Sequence, residues 1–429
     1  MKRTIKLALA ATMALGATSA FATNGDHLIG TGAKSRAMGG TGIAHFSGSQ
    51  SDTANPALIT KAKGTNFTFG GTYFRPDVEV KRTNASADGG ANIYNDTTSS
   101  DAKHNVIPYV AITENLGNGW AVGASMFGSA GMGTDWRNKD VVAGGALGDV
   151  GLYGMRSNLL LLKFSLPVAY GQDNWSVGIA PVMMYGALDM SFNQPDGAGS
   201  TNDIGNGSSS SFGLGVELGA AYTLPDMGLT LGAIYRSAIA MEYKDQISTT
   251  AAAFGYGTLP AYPAFTDKLE QPAEYGLGVD WTEGDISVTA DWRNIRWADA
   301  EGYKDFGWEN QNVYALGFEY RMDDLALRAG YNYGSNPIKN NTDGNSVAGG
   351  ANTNGDTMNA LNHVMFPAVT ERHYTLGAGY QFTKNVGADF AFTYATSPDV
   401  TVSAATVGLG DVTVTNDQMA ISANLNYSF

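Results

Sequence analysis

The chain contains no cysteine. Disulfide cross-links and thiolate metal sites are therefore excluded. Charge is scarce too, at 15% of residues, and weighted to acid, with a formal net charge of -14. That sign excludes a nucleic-acid partner and argues against anionic membrane surfaces. Long apolar runs are also missing. The stretch Leu7 to Ala17 follows Lys2, Arg3 and Lys6 and closes on Ala20-Phe21-Ala22. It falls short of the roughly 20 apolar residues of a spanning helix and reads as a Sec signal peptide, residues 1–22, cleaved after Ala22. Its loss takes the chain to -17, through removal of Lys2, Arg3 and Lys6. No later stretch is long enough for a transmembrane helix.

Catalytic and cofactor signatures are equally sparse. His27, His45, His104, His363 and His373 show no metal-ligand spacing, and none sits near a convincing nucleophile. No phosphate loop or nucleotide motif occurs. The expectation is a protein that is not an enzyme and holds no cofactor and no metal.

What is abundant is glycine and aromatics: Gly 55, Tyr 21, Phe 18 and Trp 7, with a mean hydropathy of -0.15. That average is too polar for a helical membrane protein but suits strands with one lipid face and one lumen face. Met419, Ile421, Ala423, Leu425, Tyr427 and Phe429 alternate with Ala420, Ser422, Asn424, Asn426 and Ser428, a period of two. The same stripe recurs in Tyr275/Leu277/Val279/Trp281, Tyr314/Leu316/Phe318/Tyr320 and Tyr374/Leu376/Ala378/Tyr380/Phe382.

Strands are expected near 66–80, 104–114, 119–134, 156–170, 174–192, 211–224, 228–245, 270–281, 285–298, 311–321, 325–335, 371–382, 386–397 and 414–429. Short turn-type joints alternate with long ones at about 81–103, 135–155, 193–210, 246–269, 299–310, 336–370 and 398–413. Short periplasmic turns, long outer loops and an even strand count define an all-β, fourteen-stranded antiparallel transmembrane β-barrel of the outer membrane. A soluble sandwich of similar strand count is disfavoured, because such stripes would expose too much apolar surface. The terminal aromatic Phe429 suits the barrel-assembly machinery, and a monomer is expected.

Opposite the apolar stripes lie Glu217, Arg236, Glu274, Asp280, Asp291, Arg293, Glu319, Arg321, Arg328 and Asp389. They form a charged lumen in which Arg293 or Arg328 could receive a ligand carboxylate, ion pairing being the plainer role. The third strand is interrupted by Gly128-Ser129-Ala130-Gly131. Small residues there permit a bulge or inward kink, or merely close packing. Loop 246–269 carries Phe254, Tyr256, Leu259, Tyr262 and Phe265. It is too apolar for a purely solvated loop and suits contact with the barrel rim or lipopolysaccharide.

About forty residues before the first strand, 23–64, do not read as strand. A wide barrel has room for them inside. With the run Gly32-Ala33-Lys34-Ser35-Arg36-Ala37-Met38-Gly39-Gly40-Thr41-Gly42, the motif Asn55-Pro56-Ala57-Leu58-Ile59-Thr60, the strand from Trp120 to Gly131, Leu327-Arg328-Ala329-Gly330 and Phe366-Pro367…Glu371-Arg372, the chain resembles the FadL family of outer-membrane long-chain fatty acid transporters. The resemblance implies a signal peptide (1–22), an N-terminal hatch or plug (23–64) inside the lumen, and a barrel (65–429). It places Asn55, Pro56 and Ala57 in the hatch, the bland alternative being a turn before the first strand. It further implies passive diffusion of hydrophobic small molecules, long-chain fatty acids first, with ligand capture on loop 246–269 at Phe254, Leu259, Tyr262 and Phe265 and lateral exit at the third strand. Aromatic or alkane hydrocarbons are the alternative cargo, and a surface adhesin or receptor the alternative class.

Overall fold

The computed structural model describes residues 24–85, 93–137, 152–195, 201–257, 264–342 and 353–429. The signal-peptide reading of 1–22, and Leu259 and Tyr262 of the capture loop, lie outside the described residues. Fourteen antiparallel strands form the wall. They are β1 (Thr65–Ala85), β2 (Asn105–Gly117), β3 (Trp120–Asp135), β4 in two pieces (Arg156–Ser165 and Val168–Gln172), β5 (Trp175–Pro195), β6 (Ser209–Leu224) and β7 (Leu229–Arg236). The second half comprises β8 (Glu274–Glu283), β9 (Ile286–Ile295), β10 (Gln311–Met322), β11 (Leu325–Gly334), β12 (Arg372–Gln381), β13 (Val386–Thr396) and β14 (Gly410–Ser428). Each strand pairs with its sequence neighbours, and β1 pairs with β14 from Asn66↔Ser428 to Thr83↔Asp411. The sheet thus closes on itself.

Alternation gives the wall its two faces. In β10 the even positions Tyr314, Leu316, Phe318 and Tyr320 are exposed, while Val313 and Glu319 are buried. The exposed stripes carry aromatic neighbours at both rims: Tyr185–Phe212 and Tyr331–Tyr374 on one, Trp120–Tyr170 and Tyr427–Phe429 on the other. Such girdles suit the two membrane interfaces. The tight joints fall at one end. At the first, Asn118 and Gly119 take φ of 51° and 85°, the left-handed pair that a two-residue hairpin requires.

Several strands differ from the sequence expectation, β1 and β14 by running further outward, to Ala85 and from Gly410. β7 ends at Arg236 instead of reaching 245, and β8 starts at 274 instead of 270. The alternation of Ile239, Met241 and Tyr243 continues the strand rhythm, yet this segment leaves the wall and packs inward. β4 breaks at Leu166-Pro167, where the Leu166 amide donates to the carbonyl of Pro181 and Pro167 has none to donate.

The wall orientation predicts a sign that a soluble protein would not show. Leu277, 57% exposed and paired with Trp292, stands on the outer stripe, so Leu277→Arg should cost about 2–4 kcal/mol of folding free energy in a bilayer. Urea titration of folding into phospholipid vesicles measures it; a cost near zero would contradict a lipid-facing position.

Candidate functional site

Residues 24–64 fill the ring. They contain a short helix (Gly32–Ala37) and two 3₁₀ turns (Gly48–Thr53 and Pro56–Lys61), and most are buried. Their contacts run around the wall. Ala37 packs on Ala391 of β13, and Ile59 on Ala121 and Ala169 of β3 and β4. The Gly42 and Ile43 amides donate to one carboxylate oxygen of Asp291 on β9, at 2.8 and 3.0 Å. Asn332 of β11 donates to the Gly39 carbonyl, and the Gly39 amide donates to Thr375 of β12.

Asn55, Pro56 and Ala57 sit on the inner face of β5 and β6. The Asn55 Oδ1 accepts from the Ala57 amide at 3.0 Å, and its Nδ2 donates to the carbonyls of Ile43 at 2.7 Å and Ala220 at 3.1 Å. Pro56 opens the 3₁₀ turn, where a missing N–H costs nothing. The wall yields to admit them: a Cβ on Gly219 would stand 2.0 Å from Asn55 Oδ1, and one on Gly178 2.6 Å from the Ala57 nitrogen.

Charges tie this segment to the wall in two clusters. In the first, Arg328 pairs with Glu319 and Asp389, each at 2.6 Å, and Lys34 of the helix lies 3.8 Å from Glu319. In the second, Lys163 pairs with Glu217 at 2.7 Å, while Arg236 meets Glu274 at 2.5 Å and also donates to the carbonyls of Thr53 and Ala54. Arg293 lies 3.6 Å from Glu274. Arg328 is thus committed to two carboxylates and borders, with Lys34, Glu319 and Asp389, a cavity of about 310 Å³; Arg293 borders a chamber of about 80 Å³ together with Lys163, Arg236, Phe127, Ser129 and His27. Lys163 has no counterpart in the sequence reading, because the run Leu159-Leu160-Leu161-Leu162 before it shows no alternation.

β3 departs from every neighbour. Its ladder with β2 stops at Tyr109↔Phe127, and the register with β4 slips between Gly128 and Ala130. From Ser125 to Thr134 both faces are covered, Ser129 alone being half-buried. The N-terminal segment supplies the partner that β2 withdraws: Leu28 donates to the Ser129 carbonyl, the Gly131 amide donates to Asp26, and His27 bridges Ala130.

The opposite end is covered by residues 355–370, all buried. Thr134 and Trp136 donate to the Val364 carbonyl, Trp308 donates to Asn362, and Asn416 donates to the Pro367 carbonyl. The sequence reading took this segment for part of an outer loop. Phe254 stacks on Phe192 at 4.7 Å, and Phe265 on Phe306 at 5.0 Å, so both rings join the apolar cluster beneath this cover.

A closed β-barrel with aromatic girdles and an occupied lumen is the architecture of an outer-membrane transport protein. The chain belongs to the family described as outer membrane protein transport protein (OMPP1/FadL/TodX), whose sequence model matches residues 7–429. It is 25% identical over 389 residues to a long-chain fatty acid transport protein of Escherichia coli O6:H1, covering 78% of this chain and 82% of that one. A match to an uncharacterized protein encoded upstream of phosphoenolpyruvate carboxykinase in Chlorobium limicola is 44% identical over 82 residues, 19% of this chain, and spans only 40% of that relative. The crystal structure of the Pseudomonas putida toluene transporter TodX superposes with a TM-score of 0.66 at 19% identity, over 95% of this chain and 100% of that one.

Two outcomes follow. Asn55→Ala removes three hydrogen bonds and leaves buried carbonyls unpaired, at about 1–3 kcal/mol for each orphaned group; amide hydrogen exchange within 39–60 should accelerate while that of β10–β13 stays unchanged. The second concerns His363, whose burial holds its pKa down to about 4, against an ordinary 6.5. The unfolded chain then binds the proton more readily, so stability is complete above pH 6.5 and falls as pH drops toward 4. Thermal unfolding of the wild type should therefore weaken from pH 7 to pH 5 more than that of His363→Gln.

Proposed function

We propose that the chain carries hydrophobic small molecules across the outer membrane by passive diffusion, long-chain fatty acids first. In this reading residues 24–64 are the hatch, with Asn55, Pro56 and Ala57 as its anchor. Gly128, Ser129, Ala130 and Gly131 form the lateral exit, Phe254 and Phe265 belong to the outer capture surface, and Arg293 is a candidate carboxylate partner beside Lys163.

One observation carries it: β3 leaves its ladder with β2 at Tyr109↔Phe127 and is held inward by residues 26–28. In lipid every backbone polar group needs a partner, so a wall strand that exchanges a wall neighbour for the hatch marks the place where the wall opens. Asp101 and Asp135 close the gap above, their backbones joined at 2.9 Å. The chamber beside it, at about 80 Å³, is smaller than the roughly 150 Å³ apolar cavity that accepts benzene. Passage therefore requires the ligand to displace protein groups, which makes the route ligand-gated.

Fatty acids are favoured by the likeness to the Escherichia coli protein and by the cations at the chamber. The aromatic cluster of Trp297, Tyr303 and Trp308, with ring centroids 4.7–5.1 Å apart, favours aromatic hydrocarbons as the second reading.

The absence of cysteine permits a clean test. A Cβ built on Gly128 lies 3.8 Å from the Ile107 Cβ, within the range of a disulfide. Purified protein should bind oleate, and Ile107→Cys with Gly128→Cys, oxidised, should lower cellular oleate uptake to the level of cells without the protein while leaving binding intact. Reductant should restore it. Full uptake in the oxidised variant would sink the lateral exit, and binding of toluene without oleate would move the cargo to the second reading.

A further inference from the structure

The wall is interrupted a second time. The ladder between β6 and β7 ends at Glu217↔Arg236, although β6 runs on to Ser209 alongside β5. Ser237 still meets β6, its amide donating to the Val216 carbonyl at 2.9 Å and its Oγ accepting from the Val216 amide at 3.0 Å. Beyond it, among the described residues, the upper part of β6 has no strand on its β7 side. The chain turns inward instead and follows the segment before β8, through bridges Ile239↔Gln271 and Glu242↔Lys268.

Glycines make the space for this turn. A Cβ on Gly213 would lie 2.4 Å from Ile239 Cγ2, one on Gly215 2.7 Å from Ile239 Cγ1, and one on Gly186 2.1 Å from the Tyr243 hydroxyl. Leu214, between two of these glycines, faces outward and is 78% exposed, with Phe212 at 66%. Ile239 therefore lies on the inner face of β6, and two apolar side chains stand at the outer rim of the same gap. Directly behind it is a small cavity lined by Val182, Met184, Val216, Ser237 and Ile239. It shares Met184, Arg236, Gln271 and Glu274 with the chamber.

We infer that this gap is a lateral entrance, through which a hydrophobic molecule dissolved in the outer membrane leaflet reaches the chamber directly, with Ile239 as its stopper. The inference rests on the reading of the chain as a transporter of hydrophobic molecules. Elsewhere among the described strands, apart from the gap at β3, a molecule crossing the wall sideways would have to break ladder hydrogen bonds between neighbours. Here it meets the side chains of Ile239 and Met241 and a hydrogen bond from the Glu242 amide to Ser211 Oγ at 3.0 Å, and moving these costs less than unpairing a strand in lipid. Apolar molecules concentrate in the bilayer because water rejects their surface. A gap flanked by Leu214 and Phe212 draws on that reservoir, and the route runs on through the chamber to Phe127 and Ser129 on β3.

Photolabelling tests the entrance without any need for transport. The protein is reconstituted in phosphatidylcholine vesicles that carry a diazirine in the acyl chain, irradiated, digested and mapped by mass spectrometry. Adducts on Ile239 in the wild type, and on the inward-facing Met184 and Val182 in Ile239→Ala, are expected, together with faster oleate uptake by cells carrying that variant. Adducts confined to Phe212, Leu214 and Leu218 in both proteins would overturn the entrance. Interior adducts in a protein that binds neither oleate nor toluene would keep the entrance and retract the transport reading.

Discussion

The closed hydrogen-bond ladder is the constraint on which the rest of this structure depends. A sheet in lipid cannot leave amides and carbonyls unpaired, so β1 must meet β14, and it does so over eighteen register positions from Asn66 to Thr83. Once the ring is closed, strand number sets its width, and a ring of this size encloses more space than its own inward side chains fill. The lumen must then hold water, ligand or chain. Here chain enters from both ends: residues 24–64 from the end with the tight turns, and residues 355–370 from the other.

Polar chemistry follows from that filling. Backbone carried into the lumen brings its own donors and acceptors, and the wall supplies partners: Asp291 for the amides of Gly42 and Ile43, Arg236 for the carbonyls of Thr53 and Ala54, Asn332 for that of Gly39. The ion pairs beside them are buried, where removal of one partner costs about 3–5 kcal/mol. Charges of both signs on the inward face thus serve first to seat the N-terminal segment. Arg328, held between Glu319 and Asp389, also borders a cavity of about 310 Å³, and Arg293 and Lys163 face the chamber of about 80 Å³.

Much of the wall was legible because lipid and lumen impose opposite polarity on successive residues. Tyr314 to Tyr320 or Tyr374 to Phe382 leave little choice of face. The reading failed where that opposition disappears. Ile239, Met241 and Tyr243 keep the rhythm of a wall strand, but their apolar face is buried against protein instead of lipid, and sequence periodicity does not separate the two environments. The leucines before Lys163 hid a cation for the converse reason, since apolar residues line the lumen as well as the membrane there. Residues 355–370 carried no stripe, and their role depends on partners such as Trp136 and Asn416 that lie far away in sequence.

The attachment of the N-terminal segment is uneven, and this links the outer surface to β3. Asn55 and the ion pairs hold its later part. Residues 26–28 touch β3 through a few backbone contacts; the Leu28 side chain packs on Phe74 and Ile107, while those of Asp26 and His27 reach the other way. Asp26 accepts from the Tyr303 hydroxyl at 2.5 Å and from Gln271 at 3.1 Å, and the His27 ring lies 5.0 Å from that of Trp297. Tyr303 and Trp297 in turn pack on Trp308, which donates to Asn362 of the outer cover. The cover, the aromatic cluster, Asp26 and Gly131 therefore form one unbroken series of contacts. A molecule that parts the aromatic rings pulls on Asp26 and His27, two of the three residues that hold β3 inward, so the proposed gate needs no rearrangement of the segment held at Asn55.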